Sequence, residues 1–230
     1  MYVIFEGVDG AGKSTTMNAV VDKLNSIIPG FNPVMTSQPG STPLGKHIRQ
    51  LVKYPPTIDP SIQIDNLSRQ LLYMIDMINY INVVLKPSLA DRKAVFADRS
   101  SFISGMIYGL AEGLDYDHIS KLFNLIEPVR ADRCYVMVCK PERAKERMGN
   151  SRGESKDHFD SKPFEFLEKV YDLYSNILMG PAEQTLLLQK SVNISDTIII
   201  NSEGDQEAIV NFIVKDLLKV YERPKNLHSL

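Results

Sequence analysis

Short apolar runs alternate along this chain with stretches whose apolar residues return every three or four positions. Val3–Phe5, Pro33–Thr36, Ala94–Ala97, Arg133–Val138 and Thr197–Ile200 each read as a buried strand. From about Ser14, the residues Met17, Val20, Val21 and Leu24 share one helical face, and that helix stops before Pro29-Gly30. Ser37 to Gly45 reads as a loop. Residues 61–90 read as helical and end near Lys86-Pro87, a proline that kinks or restarts a helix. Residues 103–113, 117–126, 163–178 and 205–221 are also helical in pattern, the last with Ile209, Phe212, Ile213 and Leu217 on one face. The stretch 141–162 is polar. Five strands separated by helices predict a parallel sheet covered on both faces. The expectation is one α/β domain over residues 1–222, with a tail at 223–230.

Composition narrows the class. With 230 residues, 43% apolar and 23% charged, the chain can build one core without staples. Lys and Arg total 26 against 28 Asp and Glu, so the net charge of −2 gives no support to a large nucleic-acid footprint. Cys134 and Cys139 would lie about 16 Å apart on an extended strand, pointing to opposite faces, and could not bridge each other. Two buried thiols fit a reducing compartment. No apolar run reaches the roughly 18 residues of a membrane span. The N-terminus has no basic region and meets Glu6 at once, unlike a signal peptide. A cytoplasmic protein with no membrane and no nucleic-acid partner is expected.

The chemistry sits in the first turn. Gly7-Val-Asp-Gly-Ala-Gly12-Lys13-Ser14 fits the phosphate-loop pattern G-x-x-x-x-G-K-[ST], between a strand and a helix. Its glycines let backbone N–H groups wrap phosphates, and the helix N-terminus faces the same anion. Gly7, Asp9, Gly10, Ala11, Gly12, Lys13, Ser14 and Thr15 are the candidate ATP cradle. Lys13 would reach the β- and γ-phosphates, and Ser14 would ligate Mg²⁺. There is no Asn-Lys-x-Asp guanine reader, which argues against a GTPase, and the chain is short for a motor.

The run Phe5-Glu-Gly-Val-Asp-Gly-Ala-Gly-Lys-Ser-Thr15 closely resembles the opening of thymidylate kinases. Four later segments fit in order and spacing. They are Thr36-Ser-Gln-Pro-Gly-Ser-Thr42 with Gly45-Lys-His-Ile-Arg49, Leu71-Leu-Tyr73-Met-Ile-Asp76 with Leu85-Lys-Pro-Ser-Leu89, Val95-Phe-Ala-Asp98-Arg99 with Ser104, and Arg147 to Asp160. The resemblance covers about residues 1–220. It implies a P-loop NTPase fold with a mobile lid near 141–162, transfer of the γ-phosphoryl of ATP to dTMP, and a homodimer packed through helices.

The resemblance also implies roles. Asp9 would hold the acceptor's 3′-hydroxyl or help place Mg²⁺; as a turn residue it would bond only its own backbone. Arg99 offers a fork for the acceptor phosphate. Asp98 would hold Mg²⁺ through water or accept a hydrogen bond from the acceptor. Arg49 would lie near the acceptor phosphate, Tyr73 would stack on the base, and Ser104 would read its edge. Arg147 and Arg152 would bring lid cations to the transferring phosphoryl group, because the loop interior holds no arginine. Asn201–Asp205 falls where adenine packs. The chain departs from the pattern at Ser37-Gln38, where Arg-Glu is common. Met77 replaces a base-reading arginine, Ser100 a tyrosine, His158 a lid arginine and Tyr108 a glutamine, which leaves Tyr108 among the acceptor-binding candidates. Looser base selectivity is the expectation. The alternatives are a kinase of other deoxynucleoside monophosphates and a nucleotide-binding relative that has lost transfer.

Overall fold

The computed structural model describes residues 1–54, 58–59, 61–127, 129–151, 158–159, 162–180, 188–192 and 194–222. Five strands, β1 (Tyr2–Gly7), β2 (Val34–Ser37), β3 (Val95–Asp98), β4 (Arg133–Val138) and β5 (Thr197–Asn201), form one sheet. Its order is β2-β3-β1-β4-β5 and every pairing is parallel. All six residues of β1 and all six of β4 are buried. Because successive side chains point to opposite faces, both faces of the central strands are covered.

Two helical groups do the covering. α1 (Lys13–Ile27) packs on β1 and β3 and against α9 (Gln206–Tyr221). α3 (Asn66–Tyr80), α5 (Ser101–Ala111) and α8 (Phe164–Ser175) pack together, with α5 reaching β1 and α8 reaching β4. The remaining described helices are α2 (Pro43–Lys53), α4 (Lys86–Ala90), α6 (Tyr116–Phe123) and α7 (Pro141–Ser151). Side-chain oxygens start α2, α3, α6 and α9: Thr42 accepts from Gly45 N at 2.9 Å, Asp65 from Ser68 N at 3.0 Å, Asp115 from His118 N at 2.8 Å and Asp205 from Ala208 N at 3.2 Å.

Three expectations need correction. The loop read over Ser37–Gly45 ends earlier, because Thr42 caps α2 and Pro43 takes its first turn, where a missing N–H costs nothing. The helical reading of 61–90 starts only at Asn66. It passes through a π turn at Ile81–Leu85 before Pro87, so the strain of the proline is absorbed by a wider turn. The polar stretch from 141 begins as α7, a helix with too few apolar residues to show a stripe. Both cysteines are free and buried. No described helix is long and apolar enough to cross a membrane.

Candidate active site

The C-terminal edge of a parallel sheet is where open α/β folds bind ligands. Here the loop after β1 and the end of β3 meet there. Gly7 pairs with Met137 of β4 and has φ 130°. A Cβ at this position would lie 1.8 Å from the Met137 carbonyl oxygen, so the loop can leave the strand only through glycine. The loop ends on Gly12, and α1 begins at Lys13. A cleft of about 430 Å³ opens over it, bordered by Asp9, Lys13, Ser14, Asp98, Arg99 and Arg147.

Lys13 is buried. Its Nζ donates to the carbonyls of Gly7 at 3.1 Å and Val8 at 2.7 Å. Burial, and after it the charge of Arg99, pulls its pKa down to about 8. The Ser14 hydroxyl donates to Asp98 Oδ2. These two oxygens converge, and no cluster of three metal-binding side chains occurs among the described residues. A site with only two protein oxygens fits Mg²⁺, which takes its other ligands from phosphates and water.

Asp98 and Arg99 are neighbours that face different halves of the cleft. Arg99 has φ 73°, a conformation that costs a non-glycine residue about 1–3 kcal/mol, and its side-chain bonds hold it there. Its Nη2 lies 2.7 Å from Asp9 Oδ1, and its Nη1 is 3.2 Å from both the Ser104 and Tyr174 hydroxyls. Nη1 is also 3.6 Å from Glu6 Oε2. Burial works against its charge, yet the surrounding phenols and carboxylates, Tyr108 and Asp9 foremost, hold its pKa above the ordinary guanidinium value. Tyr108 donates its hydroxyl to Asp9 Oδ2 at 2.9 Å. Asp9 is therefore a working partner of Arg99 and Tyr108 and not a turn residue satisfied by its own backbone.

Beneath these lies Glu6, fully buried, which the sequence reading passed over as a strand residue. It accepts from Ser100 N at 2.6 Å, Tyr174 at 2.7 Å and Ser104 at 3.0 Å. A carboxylate in an otherwise apolar run, directly before a glycine loop, was the signal available. Tyr174, also missed, has its pKa raised well above 10 by burial and by Glu6. Ser104 directs its proton into this network and not toward open space.

A second, smaller slot adjoins the cleft, with Tyr73, Tyr108, Phe159, Ser104 and Arg99 on its walls. Arg49 borders the cleft, its Nη1 on the carbonyl of Pro39, a residue of the slot wall, at 2.9 Å. Lys53, at the end of α2, borders both. It supplies a cation on the side where Ser37-Gln38 left one missing. Asp76 on α3 receives Gly40 N at 3.2 Å and the Ser101 hydroxyl at 3.1 Å. A Cβ on Gly45 would come 2.3 Å from its Oδ1, so α2 can approach α3 only through that glycine.

Arg147 reaches across the cleft to the Ser202 carbonyl at 3.1 Å, beside Gln206 and Ile209. This is the wall formed after β5, away from the acceptor slot. Arg152 lies outside the described residues. Met77 does not face the slot: it is buried in the core and borders a small internal space with Tyr2, Gln38 and Tyr80. The expectation of looser base selectivity loses its support from Met77 for that reason.

A phosphate loop at the centre of a 2-3-1-4-5 parallel sheet, with a separate, mostly apolar slot beside it, is the arrangement of a P-loop kinase. The family profile described as Thymidylate kinase matches residues 5–197. The thymidylate kinase of Caldicellulosiruptor saccharolyticus is 31% identical over 95% of this chain and 97% of its own. A probable thymidylate kinase of Thermococcus kodakarensis is 30% identical over 93% and 95%. The crystal structure of thymidylate kinase from Ehrlichia chaffeensis superposes with a TM-score of 0.65 at 24% identity, covering 96% of this chain and 98% of that one, and supports the fold. The chain belongs to the thymidylate kinase family, the nucleoside monophosphate kinases that move the γ-phosphoryl of ATP to dTMP.

Proposed function

We propose that residues 1–222 act as one catalytic unit that carries out this transfer in the cleft, with ATP on the phosphate loop and dTMP in the adjoining slot. The observation that carries the reading is the opposed placement of Asp98 and Arg99. One residue turns to Ser14 in the donor half, the next to Asp9 at the acceptor half. Lys13 neutralises the β- and γ-phosphates. Ser14 and Asp98 hold Mg²⁺, which supplies further charge neutralisation when bound. Arg99, with Arg49 and Lys53, binds the acceptor phosphate, and Asp9 orients the sugar. Tyr73 is the stacking surface for the base. Catalysis is positioning and electrostatics, with no covalent intermediate on the protein.

Arg147 belongs to the donor side in this reading, and Arg152 is the arginine that meets the transferring phosphoryl. Arg147→Ala is expected to raise the KM for ATP with little change in kcat, whereas Arg152→Ala lowers kcat by about 10²–10³. Steady-state kinetics with each substrate varied separates the two. If both variants keep wild-type kcat, neither arginine serves the transition state.

The second reading is a broader acceptor range, favoured by one placement: the Ser104 proton is spent on Glu6. A coupled ADP-release assay over dTMP, dUMP and dCMP decides between them. Rejection of dCMP by about 10⁴, the range a dedicated hydrogen-bonding site reaches, removes the broader reading.

The chain is also proposed to work as a cytoplasmic homodimer. α3 is partly inverted for a surface helix: Arg69, Gln70 and Asp76 are buried beside Tyr73, Met74, Met77 and Tyr80, while Leu67, Leu71, Ile75 and Ile78 are 40–47% exposed, spaced four, four and three apart. That is one continuous apolar stripe, and Val83 extends it. Leu71→Glu with Ile75→Glu is expected to halve the mass seen by light scattering. A wild type already monomeric at the working concentration rejects the dimer.

A further inference from the structure

Between the walls of the acceptor slot lies about 20 Å³, room for a water or so and far short of a pyrimidine ring. Some wall must move for a base to enter. Tyr73 lies in the middle of α3 and Tyr108 in α5, the latter bonded to Asp9. Ser104 and Arg99 are fixed on Glu6 and its partners. Of these five only Arg99 and Phe159 lie outside the helices and strands, and Arg99 is pinned by its bonds to Asp9 and Glu6, which leaves Phe159 as the wall least fixed by the fold.

The Phe159 ring fills the space that a base would need. Its centroid is 4.7 Å from that of Tyr108 and 6.0 Å from Phe166, to which it is nearly parallel at 10°. It packs against Ile48, Val52 and Tyr73, and the Arg69 guanidinium lies 5.9 Å above it. The bonds that keep it there come from its neighbours. His158 N donates to the Lys53 carbonyl at 2.8 Å. His158 Nε2 and Lys162 Nζ each lie 3.1 Å from one oxygen of Glu112, a fully buried carboxylate at the end of α5. Burial opposes the charge on Glu112, but the bonds from His158 and Lys162 outweigh it and lower its pKa. The other Glu112 oxygen accepts no hydrogen bond, and its cation, Arg69 Nε, is 3.9 Å away. The anchor is therefore half made, and a half-satisfied buried network is weaker than a complete one.

We propose that Phe159 is a resident occupant of the acceptor slot, held by Glu112 as a positioning residue, and that dTMP binds by displacing it. The proposal rests on the assignment of this slot to the acceptor. An occupant that must leave lowers apparent affinity by the fraction of molecules in which it has left. Loosening the anchor therefore tightens acceptor binding, the reverse of what loss of an ordinary pocket wall does.

The chain has no tryptophan, so Phe159→Trp carries a single indole. Saturating dTMP should move its emission to the red, as the indole leaves an apolar slot for water, and ATP alone should not. Phe159→Ala should lower the KM for dTMP by about 3–10-fold with the KM for ATP unchanged, and Lys162→Met should shift it the same way by less. Tyr73→Ala, which removes the stacking surface, should raise it. A Phe159→Ala variant whose KM for dTMP is unchanged or higher, or an indole whose emission stays put or moves to the blue with dTMP, overturns the displacement while a raised KM in Tyr73→Ala keeps the slot assignment. If Tyr73→Ala leaves the KM for dTMP untouched, the slot assignment itself fails and the proposal with it.

Discussion

Lys13→Met should abolish turnover, with kcat falling by about 10³ or more, and at the same time make the protein more stable. Both effects have one origin. Lys13 Nζ is buried against two carbonyls and beside Arg99, so its charge is carried at a cost that shows as a pKa of about 8 against the ordinary 10.5. A shift of that size corresponds to a cost on the order of 3 kcal/mol while the group is charged in both states. The sign follows from proton binding. Below about pH 8 the lysine is protonated folded and unfolded, and the full cost is present. Between pH 8 and 10.5 the unfolded chain binds more protons than the folded one, so the contribution of Lys13 to stability rises with pH. Thermal melts across pH 7–10 should show wild type gaining on Lys13→Met through that window. ATP brings negative charge to the same nitrogen and restores its proton, so at pH 8.5 ATP binding should take up protons, seen by calorimetry in buffers of different ionisation enthalpy. A variant with normal turnover places the chemistry elsewhere; one less stable than wild type shows that its side chain supports the loop.

Arg99→Met should be costly in both fold and function. It leaves Glu6 buried without its cation, and breaking a buried pair from one side costs about 3–5 kcal/mol. For a chain of this size that is a fall in Tm of about 10 °C. The kcat/KM for dTMP should fall by about 10³, since the fork on the acceptor phosphate and the partner of Asp9 vanish together. The double variant Glu6→Gln/Arg99→Met separates the two effects. Removing the stranded carboxylate charge should return most of the lost Tm without returning activity. If activity returns with stability, Arg99 is a structural residue and the acceptor phosphate is held by other groups, with Arg49 and Lys53 the next to test.

The central strands were legible because burial on both faces makes them continuous apolar runs, and α1 and α9 because each buries one face, so that its apolar residues recur at helical spacing. α2 was hidden because its start depends on Thr42 capping a backbone N–H, a local bond with little hydrophobic signature. Among the candidate site residues, the loop from Gly7 to Thr15 was legible as a motif, since wrapping a phosphate demands that spacing of glycines and lysine. Asp98 and Arg99 were legible from resemblance and position at a strand end. Glu6, Tyr174, Lys53 and Glu112 were not. Glu6, Tyr174 and Glu112 act through partners distant in sequence, as in the contact of Glu6 with Tyr174 across 168 positions, and Lys53 matters only because the fold brings the end of α2 to the cleft; a single chain read without relatives carries no trace of such pairs. Met77 illustrates the opposite error: alignment with a pattern assigns a slot, but one step of helical rotation decides which way the side chain faces.

The inversion of α3 bears on how freely this sequence can change. An ordinary surface helix leaves about half its circumference to chance, because water accepts almost any side chain there. On α3 the inward face holds Arg69, Gln70, Tyr73, Met74, Asp76, Met77 and Tyr80, and the outward face is the apolar stripe. Of the four residues outside both sets, Asn66 donates to the Glu112 carbonyl at 3.0 Å and Leu72 packs against the cluster of Ile48, Val52 and Tyr73, which leaves Ser68 and Asn79. Saturation mutagenesis of this helix should therefore find its greatest tolerance at Ser68 and Asn79, two positions among fifteen, and a drift rate nearer that of a buried strand than of a solvent-facing helix.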